Sequence, residues 1–198
     1  MGENRIAAIS RKTLETDITL ELNLDGTGKA EIDTGIGFLD HMLNSFCKHG
    51  FFDLKLVCRG DLAVDGHHTT EDIGIVLGNA IREAVGDKKG IHRYGSEILP
   101  MDDALVLCAL DLCGRPYLRY DLELPMERVG ELDTELVREF FYAISYSAAM
   151  NLHLKQFDGE NTHHLIEAAF KAFARALRKA VDPDPHVTGV LSAKGTLE

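Results

Sequence analysis

The sequence predicts an α+β fold made of two pseudosymmetric halves, each a small sheet with helices packed on one face. Three observations carry this. Segments with the two-residue period of half-buried strands alternate with segments at helical spacing, and that order occurs twice. The pentapeptides HHTTE (67–71) and HHLIE (163–167) lie 96 positions apart, and the same ungapped register matches Ala, Arg, Ala and Val between NAIREAV (79–85) and RALRKAV (175–181). Upstream, DLKLV (53–57) lies against NLHLK (151–155) at an offset of 98. A repeat this long marks a duplicated half-domain and not a solenoid. The expected organisation is one domain over 1–198, with half-repeats at about 10–98 and 99–190.

In chain order, TDITLELNLDG (16–26) alternates apolar and polar residues as a strand does, and GTGKAEIDTG (26–35) reads as its hairpin partner across a Gly-containing turn. GFLDHMLNSFCKHG (37–50) has helical spacing and stops on Gly50. A strand (51–61) and a helix (71–87) complete the first half. The second half reads as strand character over 104–124, helix over 134–150, strand over 151–157 and helix over 163–181. The helices should pack together or against helices of another subunit. Phe140, Phe141, Phe170 and Phe173 are expected on apolar helix faces that need such partners.

The 198 residues are 45% hydrophobic and 27% charged, enough to bury a core. A net charge of −11 argues against nucleic acid or an anionic membrane as the main partner. A small anionic substrate would need a local basic pocket. The N-terminal stretch lacks an apolar signal core, no run reaches membrane-span length, and Cys47, Cys58, Cys108 and Cys113 form no C-x-x-C pair. These features predict reduced thiols in a cytoplasmic protein.

The HHxxE pairs carry the chemistry. Neighbouring residues on a helix diverge by about 100°, whereas residues three or four apart share a face. Each motif therefore offers one imidazole beside a carboxylate and a second imidazole pointing away. His41 and Glu139, opposite one another at the offset of 98, are placed to add one ligand each. A lone histidine pair is ordinarily a surface or packing feature. Recurrence of the pair with its glutamate, using four of nine histidines, is what core packing does not explain. The absence of thiolate argues against a structural cysteine-type zinc site and leaves Mn²⁺, Fe²⁺ or Zn²⁺ open.

GIGFLDHML (35–43), HGFFDL (49–54), DGHHTTEDIGI (65–75), GDKKGIHRYG (86–95), PMDDAL (100–105), DLCGRPYL (111–118), GENTHHLIEAAFKAFARAL (159–177) and SAKG (192–195) occur in that order. With them the chain resembles the imidazoleglycerol-phosphate dehydratases of histidine biosynthesis along nearly its whole length. The resemblance implies a ribosomal protein S5 domain 2-like fold and a hydro-lyase that converts D-erythro-imidazole-glycerol phosphate to imidazole-acetol phosphate and water. It implies two Mn²⁺ ions per active site, with ligands at His41, His67, His68, Glu71, His163, His164 and Glu167. The eighth position, often histidine in the family, is Glu139 here. His153, on a strand, is the weaker alternative. For the substrate phosphate it implies Arg93, Arg115, Lys171, Ser192 and Lys194. Ala193 replaces a usual threonine and Ser45 a frequent glutamine. Glu15 matches a family active-site glutamate and is the first candidate for proton transfer and substrate contact, with Glu71 and Glu167 as further catalytic candidates. The family assembles as a 24-subunit homo-oligomer with sites shared between chains. No nucleic acid or membrane partner is expected. A two-metal hydrolase or a metal-storage cage would share the ligands, but the storage cage gives no reason for the basic positions.

Overall fold

The computed structural model describes residues 5–197. The first half contains β1 (Ile6–Lys12), β2 (Thr16–Asn23), β3 (Ala30–Asp33), α1 (Gly37–Gly50), β4 (Asp53–Gly60) and α2 (His67–Val85). The second contains β5 (Tyr94–Met101), β6 (Ala104–Asp111), β7 (Tyr117–Asp121), the short pair β8 (Arg128–Val129) and β9 (Leu132–Asp133), α3 (Glu135–Ser147), β10 (Asn151–Asp158) and α4 (Thr162–Val181). The sheets have orders β1-β2-β4-β3 and β5-β6-β10-β7, so the halves share one topology.

Alternation decides which face of each sheet is buried. Ile18, Leu20 and Leu22 on β2 stand opposite Cys58, Leu56 and Leu54 on β4, and all six are buried. Val106, Cys108 and Leu110 on β6, with Leu152 and Leu154 on β10, do the same in the second sheet. The polar residues between them, such as Asp17, Thr19 and Glu21, are exposed. Helix α2 covers the first sheet and α4 the second.

The helices join the halves, because α1 packs on α4 and α2 on α3. Phenylalanines fill this layer: Phe46 stacks on Phe173 at 5.6 Å and Phe140 on Phe170 at 5.1 Å, with Phe141 edge-on to Phe173 at 5.7 Å. This corrects the expected exposed faces. Phe140, Phe141, Phe170 and Phe173 are at most 1% exposed, so the chain satisfies them itself and they give no argument for assembly.

Three further expectations are overturned. Residues 30–33 are not the hairpin partner of β2. They pair in parallel with β4, and β1 is the antiparallel neighbour of β2. Local alternation does not reveal that an earlier segment with a single buried position, Ala7, closes the hairpin. The stretch 104–124 is also not continuous, because Gly114 takes φ +84° and Pro116 follows, which breaks the chain between β6 and β7. Finally, α2 starts at His67, four residues before the expected start, placing both histidine pairs in the first turn of a helix.

Helices α2 and α3 approach closely because Gly74 and Gly78 face α3. A Cβ at Gly78 would lie 2.8 Å from the Ile144 carbonyl oxygen and 2.7 Å from the Ser147 side chain. Gly78→Val should therefore lower stability by more than about 2 kcal/mol. A urea titration of the metal-free protein reads this as a lowered midpoint, and an unchanged midpoint would contradict the packing described.

Candidate metal and substrate site

Helix α1 carries His41 to the first turns of α4. There His41, His163 and Glu167 bring their ligand atoms within 4.8 Å of one another. His163 Nε2 lies 3.1 Å from Glu167 Oε2, and His41 Nε2 lies 3.6 Å from the same oxygen. Lys171, one turn further on, donates to Glu167 Oε1 at 2.8 Å. Glu167 is only 7% exposed. Burial pushes its pKa up, but the Lys171 ammonium and the two imidazoles outweigh that and leave it below the ordinary glutamate value. The group therefore presents a carboxylate and two imidazoles, a donor set that suits a borderline or hard divalent cation.

The other histidine of each pair diverges. Ring planes of His67 and His68 meet at 81°, and those of His163 and His164 at 77°. His68 Nδ1 lies 3.0 Å from Asp61 Oδ2, and His164 Nδ1 lies 2.6 Å from Asp103 Oδ1. A carboxylate at Nδ1 fixes the ring orientation and holds the proton there, leaving the Nε2 lone pair for a ligand. On the Nε2 side, Glu15 Oε1 lies 3.6 Å from His68 and Asp102 Oδ2 lies 3.5 Å from His164. Asp103 is itself anchored by the backbone N–H groups of Glu160 and Asn161, at 2.7 and 2.9 Å, which with His164 hold its pKa far below the ordinary value.

The symmetry-related position, on α2 and α3, would use His67, Glu71 and Glu139. These residues are not gathered as tightly: among the described residues only His41, His163 and Glu167 form such a group. Glu139 instead accepts from Arg138 Nη1 at 2.8 Å. His153 is exposed on the outer face of the second sheet, 5.5 Å from the Tyr117 ring and on the side away from the helices.

The basic positions lie elsewhere. Arg93 makes a two-pronged pair with Asp111 at 2.7 and 2.9 Å, and its Nη1 donates to the Leu191 carbonyl at 2.6 Å. That contact holds the segment with Ser192 beside it, and both line one surface cavity. Lys194 donates its backbone N–H to Ser192 Oγ at 3.2 Å. Arg115 is exposed in the turn before β7, where its carbonyl accepts from Asn151. The backbone of Arg93 bonds Ala180 near the far end of α4. Thirteen residues of helix separate Ala180 from Glu167, about 20 Å at 1.5 Å per residue. Only Lys171 stands at the metal group.

Asp61 and Asp103 were not singled out from the sequence. PMDDAL carries part of the family resemblance, but nothing in its spacing ties Asp103 to a histidine 61 residues away. The available signal was chemical: an imidazole ligand generally needs a partner for its second nitrogen.

The Asp61 hydrogen bond raises the pKa of His68 above the ordinary imidazole value, with help from the nearby Glu15 and Asp65 charges. Because the folded value is the higher one, this pairing stabilises the metal-free chain fully below the ordinary value. The contribution is lost as pH rises through the raised value. An NMR titration of the metal-free chain should place His68 above about 6.5, and Asp61→Asn should bring it down; no change in that variant would contradict the pairing.

Known proteins resemble this chain along most of its length. The profile of the family described as imidazoleglycerol-phosphate dehydratase matches residues 34–177. A protein of that name from Lachnoclostridium phytofermentans is 69% identical over 195 residues, spanning 98% of this chain and 100% of the relative. One from Acetivibrio thermocellus is 60% identical over 189 residues, covering 96% and 97%. The crystal structure of the Staphylococcus aureus enzyme of that name superposes with TM-score 0.82 at 42% identity, over 90% of this chain and 99% of that one. The Pyrococcus furiosus structure, a complex with (S)-C348, gives 0.83 at 39%, over 96% and 100%. With most of its length matched by the profile and by relatives far above 30% identity, the chain belongs to the imidazoleglycerol-phosphate dehydratase family.

Proposed function

We propose that the enzyme dehydrates D-erythro-imidazole-glycerol phosphate to imidazole-acetol phosphate in histidine biosynthesis, at a site that binds two Mn²⁺ ions and is completed by neighbouring copies of the chain. The observation that carries the metal reading is the convergence of His41, His163 and Glu167 from two helices more than 100 residues apart, with the buried carboxylate kept ionised. The oxygen and nitrogen donors fit Mn²⁺, and the four cysteines are buried and free. His67, Glu71 and Glu139 are proposed as the symmetry-related set, with His68 and His164 as the ligands that diverge toward other chains.

The phosphate is assigned to Arg93, Arg115, Lys171, Ser192 and Lys194. Arginine forks suit phosphate oxygens. The helix rise of about 20 Å from Glu167 to Ala180, which bonds the backbone of Arg93, exceeds the length of a three-carbon phosphate ester bearing one imidazole. That supports the reading that sites are shared between subunits. The count of 24 rests on the family resemblance. Lys171 pairs with Glu167 in this chain and would be available to phosphate if Glu167 held a metal ion. The proposed location is the cytoplasm; among the described residues no helix is long and apolar enough to cross a membrane.

The product keeps oxygen on the middle carbon and loses it from the carbon attached to the ring. The hydroxyl leaving the ring-adjacent carbon needs a proton, the middle carbon must give one up, and the enol takes one at the ring-adjacent carbon as its O–H gives one up to form the ketone. No carbonyl activates the middle carbon at the start. A divalent ion held by His41, His163 and Glu167 would favour the imidazolate form of the substrate ring, which helps expel the hydroxyl from the ring-adjacent carbon and thereby acidifies the middle carbon. Glu15, exposed and 3.6 Å from His68 Nε2, is placed to carry one of these protons. Glu71 and Glu167 are the other carboxylates of the site.

Two experiments test this. Metal-stripped protein should turn over imidazole-glycerol phosphate only after Mn²⁺ is restored; absence of turnover by reloaded, assembled protein would contradict the reading. His163→Ala and Arg93→Ala should each lose more than about 100-fold in kcat/KM. Dissociated and reassembled together, they should regain a readily measured part of the activity, because some sites then combine an intact metal half with an intact phosphate half. No recovery in mixed assemblies would contradict shared sites.

A further inference from the structure

Asp72 follows the ligand candidate Glu71 and is 5% exposed on α2. Its Oδ2 accepts from Arg11 Nη1 on β1 and from Thr16 Oγ1 at the start of β2, the latter at 2.5 Å. Thr16 Oγ1 lies 3.3 Å from Thr13 Oγ1, which accepts the backbone N–H of Glu15 at 3.1 Å. A continuous chain of hydrogen bonds thus runs from Asp72 to the amide of Glu15. On its other side, the Glu15 carbonyl accepts from the N–H of Asp61, the anchor of His68.

Pseudosymmetry supplies the control. The second half builds the same hairpin against the same helix. By strand register, Leu99 takes the place of Arg11 and Ala104 that of Thr16, while the offset of the HHxxE motifs puts Ala168 in place of Asp72. Ala104 and Ala168 are at most 1% exposed. At this position the second hairpin meets α4 through apolar side chains, and its ionic contacts to that helix lie elsewhere: Glu97 pairs with Lys179 and Arg175, and Asp103 with His164. Ion pairs taken out of water contribute little net stability compared with apolar packing. The buried Asp72–Arg11–Thr16 link stands at this position in the half whose hairpin carries Glu15.

We propose that Asp72, Arg11 and Thr16 form a positioning lock that sets Glu15 against His68 for proton transfer. They touch neither substrate nor metal and act through Glu15. The inference rests on the assignment of Glu15 made above.

The test is a double-mutant cycle on the Mn²⁺-loaded, assembled enzyme. The first change installs the second half's residues as R11L/T16A/D72A; the second is Glu15→Gln. The triple variant should keep its assembly state and bound Mn²⁺, leave KM within about threefold, and lose about 100-fold in kcat, the cost of misplacing a reacting group by about 1 Å. In the Glu15→Gln background the same triple change should cost less than about threefold, because nothing remains to position. Should the triple variant fail to fold, Thr16→Val removes only the hydroxyl link and is read in the same cycle, with the same non-additive loss expected. Full activity of the folded triple variant, or of Thr16→Val, would overturn the lock. So would an equal loss of kcat in both backgrounds, which marks a merely structural role. A fully active Glu15→Gln enzyme would instead overturn the assignment of Glu15.

Discussion

Keeping an ionised carboxylate inside a helix crossing is the constraint around which the rest is arranged. Burial pushes the pKa of Glu167 up, and Lys171, His163 and His41 around it outweigh that and leave it below the ordinary glutamate value. That requires α1 and α4 to cross near the N-terminal end of α4. The crossing is set by the phenylalanine layer and by the sheets that carry the two helices. Fold and site are thus one problem: the packing that joins the halves also delivers a histidine of the first half to the glutamate of the second.

The duplicated architecture has not remained symmetric. One ligand group is gathered and its counterpart on α2 and α3 is looser, with Glu139 turned to Arg138. The divergent histidines point out of both groups, each with a carboxylate on its Nδ1 side. Of the basic residues proposed for phosphate, Lys171 stands at the metal group, whereas Arg93 is bonded to the backbone near the opposite end of α4. Under the proposed assignment, a chain with its metal donors at one end and Arg93 at the other contributes to two different sites, and the local basic groups offset the acidity of the whole.

Much of this was legible in the sequence, for identifiable reasons. The repeat exposed both halves, because HHxxE and the helices behind it keep their register. The divergence of the paired histidines followed from helical geometry and is seen in the ring planes. Strand order was not legible. Residues 30–33 alternate like a hairpin arm, yet pair in parallel with β4 across a helix, a long-range choice that period alone does not encode. The burial of Phe140, Phe141, Phe170 and Phe173 depended on the other half covering them. Asp61, Asp72 and Asp103 were invisible for a related reason. An aspartate that anchors a histidine or a hairpin looks in sequence like any other aspartate until the fold brings its partner near.

The central claim is that the two pseudosymmetric helix crossings hold a metal pair. Anomalous diffraction at the manganese edge, from crystals of the Mn²⁺-loaded assembly, tests it most directly. The account predicts two manganese peaks per chain, one on His41, His163 and Glu167 and the other on His67 and Glu71. A single peak per chain, or peaks away from these side chains, would contradict it.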